Sequence, residues 1–217
     1  MKTYIFSDSH IPFSNKAFLT FLRRAQEVDV HIVIGNGDVY DLLRVPFEEI
    51  ISREPGKTLH QELMKLAKRK KVILVLGNHD ATLKNYQGDL PFEIVDSLDL
   101  NGYHIEHGHR FDLECRWLPW RLLIRLLQGL WQTPSRLKEA GKAKKYQWLV
   151  GTIHGKALAW LARSGYRGLI MGHTHFGLLA TLEDGRVLAD SGDFLDSASF
   201  LELEGGKVRL RRLKGRK

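Results

Sequence analysis

Short apolar runs alternate with longer amphipathic segments in the first part of the chain. Each run is bounded by polar or glycine residues, which is typical of a buried parallel strand. Segments 15–27 and 47–70 carry apolar residues at helical spacing, with Asn15 as a candidate N-cap and a break at Pro55-Gly56. The predicted strands are residues 3–6, 30–34 and 72–76. The N-terminal part is therefore predicted to be βαβαβ.

The C-terminal part has the pattern of β-hairpins. One hairpin is predicted between residues 178–182 and 186–189, and a second turns at Gly205-Gly206. Two further apolar runs, 103–106 and 168–171, predict strands. Together these elements predict an α/β fold, a two-sheet sandwich flanked by helices in αββα layers. We expect one domain over residues 1–217, with a helical lid inserted at 110–167.

Composition narrows the class of protein. The 217 residues are 43% hydrophobic and 27% charged, which is ordinary for a globular domain. No apolar run is long enough to span a bilayer, and residues 1–6 are better interpreted as a core strand than as a signal peptide. The single cysteine, Cys115, excludes a disulfide framework within the sequence. These features predict a cytoplasmic protein.

Charge is concentrated in the predicted lid. Residues 110–167 contain all five tryptophans and twelve Lys or Arg but three acidic residues, whereas the whole chain has a net charge of +8. This excess predicts an anionic partner. Segment 120–127 is a basic amphipathic helix, and two interpretations stay open: peripheral contact with an anionic membrane, on its inner face, or packing on the protein's own domain. Nucleic acid is a further candidate partner.

Polar side chains follow five of the predicted strands. Because strands in α/β sheets present ligands at their carboxyl ends, these residues are expected to meet in one site. Their nitrogen and oxygen atoms suit Mn²⁺, Fe or Zn²⁺, and seven groups suit two ions that share a carboxylate. Two neighbouring ions stabilise an in-line displacement at phosphorus. The candidate ligands are Asp8, His10, Asp38, Asn78, His107, His173 and His175.

These motifs, in this order, resemble the calcineurin-like metallophosphoesterases. The matching stretches are Asp8-x-His10, Gly37-Asp38, Gly77-Asn78-His79-Asp80, His107-Gly108-His109 and Gly172-His173-Thr174-His175. The resemblance implies one metal on Asp8, His10 and His175. It implies a second metal on Asn78, His107 and His173. Asp38 would bridge the two ions, of which Mn²⁺ is the first expectation.

The same resemblance assigns roles beyond the ligands. His79 matches a histidine that contacts the substrate phosphate and assists the leaving group, and Asp41 is expected to orient it. Asp80 and His109 are expected to support the site, and two interpretations of Asp193 stay open: support of the site or an ordinary turn. We interpret His31, His60 and His154 as structural or surface residues.

The inserted helices resemble the UDP-2,3-diacylglucosamine pyrophosphatases within the family, although the best-known form of that enzyme has arginine at the position of His79. This implies a lipid- or nucleotide-linked diphosphate substrate. The alternatives are a soluble phosphodiesterase or nuclease and, in another class, a non-catalytic scaffold. The predicted substrate contacts are Asn78, Arg110, Arg116, Trp117 and Arg121.

Overall fold

The computed structural model describes residues 1–112 and 140–213 of the chain, and two β-sheets form the centre of this part. The first sheet has six strands. In spatial order they are β11 (Lys207–Arg212), β10 (Ser199–Glu204), β1 (Lys2–Phe6), β2 (Ile32–Asn36), β3 (Lys71–Val75) and β4 (Glu93–Val95). The strands β1 to β4 run parallel to one another. On the other side of β1, β10 pairs with β1 in antiparallel orientation, and β11 pairs with β10 in the same way.

The second sheet has five strands, one of which follows directly after the insertion. In spatial order they are β5 (Leu98–Leu100), β6 (Tyr103–Ile105), β7 (Gly168–Met171), β9 (Val187–Asp190) and β8 (Leu178–Thr181). The central strands β6, β7 and β9 are mutually parallel, and an antiparallel strand lies at each edge. The carboxyl ends of β6, β7 and β9 therefore lie at the same edge of this sheet.

Helices cover both outer faces of the sandwich. They are α1 (Lys16–Glu27), α2 (Phe47–Ser52), α3 (Gly56–Ala67) and α4 (Ala140–Arg163). Helix α1 begins at Asn15, whose side chain accepts a hydrogen bond from the backbone of Ala17, as the sequence predicts. Two short 3₁₀ helices, Ala81–Tyr86 and His109–Phe111, follow β3 and β6.

Three apolar layers hold these elements together. Side chains such as Phe18 and Leu63 pack α1 and α3 on the first sheet, and Ile34 and Ile170 lie in the layer between the sheets. A third layer joins α4 to the outer face of the second sheet, and its buried members include Ile153, Ala157 and Leu161. The predicted two-sheet α/β sandwich is therefore confirmed.

The structure places part of the predicted lid in the fold itself. Residues 150–161 of α4 contribute buried side chains to the third apolar layer, so this part of the 110–167 insertion packs on its own domain. The lid role of residues 110–167 stays a prediction, and residues 113–139, including the amphipathic segment 120–127, lie outside the described residues. Among the helices in the described ranges, none has the length and apolar character required to cross a membrane.

Candidate metal centre

The predicted ligands come together where strands of both sheets end. Asp8 and His10 follow β1, Asp38 follows β2, and His107 follows β6. His173 and His175 follow β7, which pairs with β6 in the second sheet. Backbone hydrogen bonds link the adjacent loops, because the N–H groups of Asp8 and His10 donate to the carbonyls of Gly37 and Asp38. The strand ends thus form a continuous polar cluster.

One group of potential ligands is centred on Asp8. Its Oδ1 atom lies 3.3 Å from Nε2 of His175 and 3.8 Å from Nε2 of His10. Its Oδ2 atom accepts a hydrogen bond from the backbone N–H of His173 at 2.9 Å, which fixes the carboxylate orientation. The arrangement of Asp8, His10 and His175 is close enough to hold one metal ion.

A second group is centred on Asp38. Its Oδ2 atom lies 3.3 Å from Nε2 of His107 and 3.9 Å from Nε2 of His10. Asp38, His107 and His173 form another set close enough to share an ion. Since Asp38 approaches His107 on one side and His10 on the other, its carboxylate lies between the two groups. This is the position that a bridging ligand requires.

Hydrogen bonds on the far side of the rings determine which nitrogen faces the cluster. Nδ1 of His107 donates to the carbonyl of Asn36 at 3.0 Å, so Nε2 is the ring nitrogen that faces Asp38 and would bind a metal after losing its proton. Nε2 of His173 lies 3.0 Å from Oδ2 of Asp112, which leaves Nδ1 as its candidate ligand atom. A carboxylate or carbonyl behind a ligand imidazole is the usual way to fix its tautomer.

His79 lies at the open side of the cluster. Its Nδ1 is 2.9 Å from Oδ1 of Asp41, and its Nε2 is 3.9 Å from Oδ2 of Asp38. Its side chain is 20% exposed, compared with 2% for Asp38. The backbone N–H of His79 donates to Oδ1 of Asp38 at 2.7 Å, which places the loop containing Asn78 against the cluster. His79 could also join His10 and Asp38 as a ligand, although the sequence predicts otherwise.

Several buried atoms of the cluster have no hydrogen-bond partner. They are Oδ1 of Asp8, both ring nitrogens of His10 and Nε2 of His107. Buried polar atoms are nearly always satisfied, so a group of such atoms facing one another indicates a place for a cation. The oxygen and imidazole donors fit divalent transition metals.

The electrostatics of the cluster favour the same conclusion. Burial lowers the pKa of His10, but the nearby carboxylates of Asp41 and Asp8 and the charge of Asp38 outweigh it and raise the pKa to about 10. Burial likewise lowers the pKa of His107, and the charges of Asp38 and Asp8 raise it to about 10. Negative charge that retains protons on imidazoles also attracts metal ions, which displace those protons when they bind.

The pKa values of two acidic residues of the cluster shift in different directions. Burial raises the pKa of Asp38, but the charges of His107 and His79 outweigh it and hold the pKa well below its usual value. Burial and the charge of Asp38 raise the pKa of Asp80 to about 6. Asp80 accepts backbone hydrogen bonds from Gly77 and Val39 at 2.7 and 2.8 Å, so it connects two of the ligand loops.

The ligand loops adopt an unusual backbone conformation. Five of the seven predicted ligands have φ between 46° and 70°, a left-handed region that L-residues rarely occupy. These residues are Asp8, His10, Asp38, His173 and His175. Gly37 has φ 84°, and a Cβ atom there would overlap the His107 ring. Backbone strain of this kind is concentrated at functional sites and persists only where surrounding contacts impose it.

Sequence reasoning did not single out three residues beside the centre. Asp112 contacts His173, Asp190 contacts the loop between His173 and His175 through Thr174, and Arg44 lies 3.4 Å from Oδ2 of Asp41. Arg44 could have been predicted from the sequence, because it lies three residues after Asp41. The contact of Asp112 with His173 joins residues 61 positions apart, and that of Asp190 with Thr174 joins residues 16 positions apart. The local sequence pattern does not predict contacts over such separations.

The predicted substrate contacts are less well defined. The guanidinium of Arg110 pairs with Glu106 at 2.7 Å and stacks between the rings of Phe111 and Trp160, at 4.7 and 4.5 Å from their centres. These contacts favour a packing role for Arg110, and its substrate contact stays a prediction. Arg116, Trp117 and Arg121 lie outside the described residues.

A two-sheet sandwich with two His/Asp clusters sharing one carboxylate at its edge defines a class of metal-dependent hydrolases. The family model for calcineurin-like phosphoesterases matches residues 1–177, so the chain belongs to this family. It is accordingly a metal-dependent phosphoesterase, from a family that uses two metal ions. A search of curated proteins found no match.

Solved structures share the fold. An archaeal phosphodiesterase aligns with a TM-score of 0.54 and 18% identity, covering 98% of this chain and 100% of that protein. YfcE, a phosphoesterase from E. coli, aligns with a TM-score of 0.51 and 18% identity, covering 94% of this chain and 89% of that protein. At these identities the likeness establishes the fold alone.

Proposed function

We propose that the chain is a phosphodiesterase with two metal ions, one on Asp8, His10 and His175 and the other on Asn78, His107 and His173, bridged by Asp38. The observation that carries this proposal is the position of the Asp38 carboxylate between two ligand groups, beside the partly exposed His79. When bound, two divalent ions polarise phosphoryl oxygens and supply an acidified water. Mn²⁺ is the first candidate, with Fe and Zn²⁺ as alternatives.

The residues around the ions provide the remaining chemistry. Asp41 holds Nδ1 of His79 at 2.9 Å and fixes the orientation of the ring, so that a proton carried on Nε2 can be given to the leaving oxygen. The rigid strand ends and their hydrogen-bonded loops fix the ligands, which reduces the reorganisation needed during the reaction. His79 is thus assigned as the general acid and Asp41 as the residue that positions it.

Charge supports a diester in preference to a monoester. Among the described residues, Arg44 is the side-chain cation that pairs with an acid of the cluster, which is Asp41. The Asp41 carboxylate already neutralises part of the charge of Arg44. A monoester dianion is normally held by several cationic donors, whereas a diester carries one negative charge. Within residues 1–112 and 140–213 the supply of side-chain cations at the cluster is small, which fits a diester.

A lipid-linked diphosphate such as UDP-2,3-diacylglucosamine is the second candidate substrate. The basic, tryptophan-rich insertion favours it, and the side chain of Trp148 is 69% exposed. Nucleic acid could use the same features through base stacking. Cytoplasmic location, contact of the insertion with a membrane and the lid role of residues 110–167 stay predictions.

One panel of assays tests these alternatives. The protein is depleted of metal, reconstituted with Mn²⁺ and given bis-p-nitrophenyl phosphate, p-nitrophenyl phosphate, single-stranded DNA, or UDP-diacylglucosamine in detergent micelles. We expect metal-dependent diester hydrolysis that exceeds monoester hydrolysis. Cleavage confined to the lipid nucleotide would replace the proposal by the second candidate. Equal rates without metal would refute it.

A further inference from the structure

Helix α4 of the insertion reaches the metal centre through a buried histidine. His154 lies on α4, and its Nε2 is 3.0 Å from Oδ2 of Asp190 at the end of β9. Both side chains are buried. Since a carboxylate accepts hydrogen bonds, Nε2 of His154 is the donor.

The same carboxylate oxygen contacts the loop that carries two predicted ligands. The hydroxyl of Thr174 donates to Oδ2 of Asp190 at 2.7 Å, and its oxygen accepts from the backbone N–H of Phe176 at 3.2 Å. The other carboxylate oxygen of Asp190 accepts from the backbone N–H of Gly192 at 3.0 Å. A continuous set of hydrogen bonds therefore connects α4 with the loop between His173 and His175.

This loop has a particular need for external support. His173 and His175 have φ values of 70° and 58°, on either side of Thr174. Left-handed backbone is disfavoured for residues with a Cβ atom and is retained only where neighbouring contacts impose it. The buried Thr174 side chain is anchored to the fold by Asp190, while the side chains of its two neighbours belong to the ligand groups.

We propose that His154 and Asp190 are positioning residues, which act through Thr174 to hold His173 and His175 in the geometry that binds metal. This inference rests on the proposed function, because it takes both histidines as ligands. It also couples the insertion to the metal centre, since His154 belongs to α4 and His173 and His175 belong to different ligand groups.

A role confined to anchoring α4 is the competing explanation. Helix α4 already has apolar anchors in Ile153, Ala157 and Leu161, so its packing does not depend on one hydrogen bond. The chain also offers a matched control in His104. This residue forms a 2.7 Å hydrogen bond with Asp99 and packs on Trp160 of the same helix, and it belongs to neither ligand group.

The test compares Mn²⁺ affinity across five variants of the full chain. They are His154→Ala, His154→Gln, Thr174→Val, Thr174→Ser and His104→Ala. Dissociation constants come from calorimetry, metal content from elemental analysis, and metal-free melting temperatures from circular dichroism. Loss of support behind a metal ligand typically weakens metal binding about 10- to 100-fold. We expect that loss for His154→Ala and Thr174→Val, with turnover returning close to the parent value at saturating Mn²⁺.

The conservative variants separate positioning from simple destabilisation. Thr174→Ser keeps the hydroxyl and should bind Mn²⁺ as the parent does, and His154→Gln should recover part of the affinity through its amide N–H. His104→Ala should leave the affinity unchanged. If His154→Ala does not fold, the comparison of Thr174→Val with Thr174→Ser decides the question alone.

The inference is overturned if His154→Ala and Thr174→Val keep the parent affinity while their melting temperatures fall. A parent protein that binds Mn²⁺ but hydrolyses no diester would refute the proposed function, yet its dissociation constants would still decide this inference. A parent that binds no metal would overturn both.

Discussion

Replacing His79 by alanine tests the proposed general acid directly. Nδ1 of His79 is held by Asp41 at 2.9 Å, while Nε2 faces the cluster, 3.9 Å from Asp38. A positioned general acid typically contributes 10² to 10⁴ in rate, which corresponds to about 2.7 to 5.4 kcal/mol of transition-state stabilisation. We therefore expect His79→Ala to lower kcat by about this factor for a diester with an alkyl leaving group.

The leaving group provides the sharper measurement. Nitrophenolate departs without a proton, so the loss of kcat in His79→Ala should be much smaller for bis-p-nitrophenyl phosphate than for the alkyl diester. Both substrates are assayed at saturating Mn²⁺, and metal content is measured in each preparation. His31→Ala, which removes an exposed histidine at the start of β2, serves as the control.

Two results would refute this reasoning. Equal losses for the two leaving groups would mean that His79 does not donate the critical proton. A fall in metal content would mean that His79 is a ligand, as its proximity to His10 and Asp38 permits.

Three further predictions concern the metals and the fold. Asp38→Ala should remove both metal equivalents and the activity, and one retained equivalent in elemental analysis would contradict a bridging role. The pKa values of His10 and His107 are raised to about 10, so both residues hold protons below that pH when no metal is bound. Because a metal ion must displace these protons, Mn²⁺ affinity measured by calorimetry should rise with pH, up to about tenfold per pH unit for each displaced proton. Gly37→Ala should lower the free energy of unfolding by more than about 1 kcal/mol and weaken metal binding. Gly37 has a φ of 84°, and the Cβ atom of an alanine there would overlap the His107 ring. Gly185→Ala, with φ 83° and open space around it, should show only the backbone effect in denaturant titrations.

Local sequence patterns predicted the ends of the strands better than the contacts around them. Strand β1 is a continuous apolar run that ends at polar residues, and these local signals are sufficient to place Asp8 and His10 at a sheet edge. Strands β4 and β5, of three residues each, were not predicted. Strand β2 was predicted at residues 30–34 but continues to Asn36, which pairs with Val75 of β3.

Contacts between distant segments had no local signal. The pairing of β7 with β9 brings Asp190 beside Thr174, and helix packing brings His154 to both. His154 was interpreted as structural or surface, and its sequence neighbourhood is that of an ordinary helix. Only the order of strands in the second sheet places this histidine near the metal centre.

The metal centre departs from the rules that the rest of the chain follows. Elsewhere, as in α1, the apolar pattern, the cap and the buried face agree with one another. At the strand ends the chain instead holds left-handed residues and buried atoms such as Oδ1 of Asp8 without a hydrogen-bond partner. Without a metal ion these features oppose folding. A bound cation would give the buried atoms the partner that they lack. The arrangement that weakens the metal-free protein therefore favours the binding of a cation, and Asp80 and Asp190 form hydrogen bonds with the loops around it.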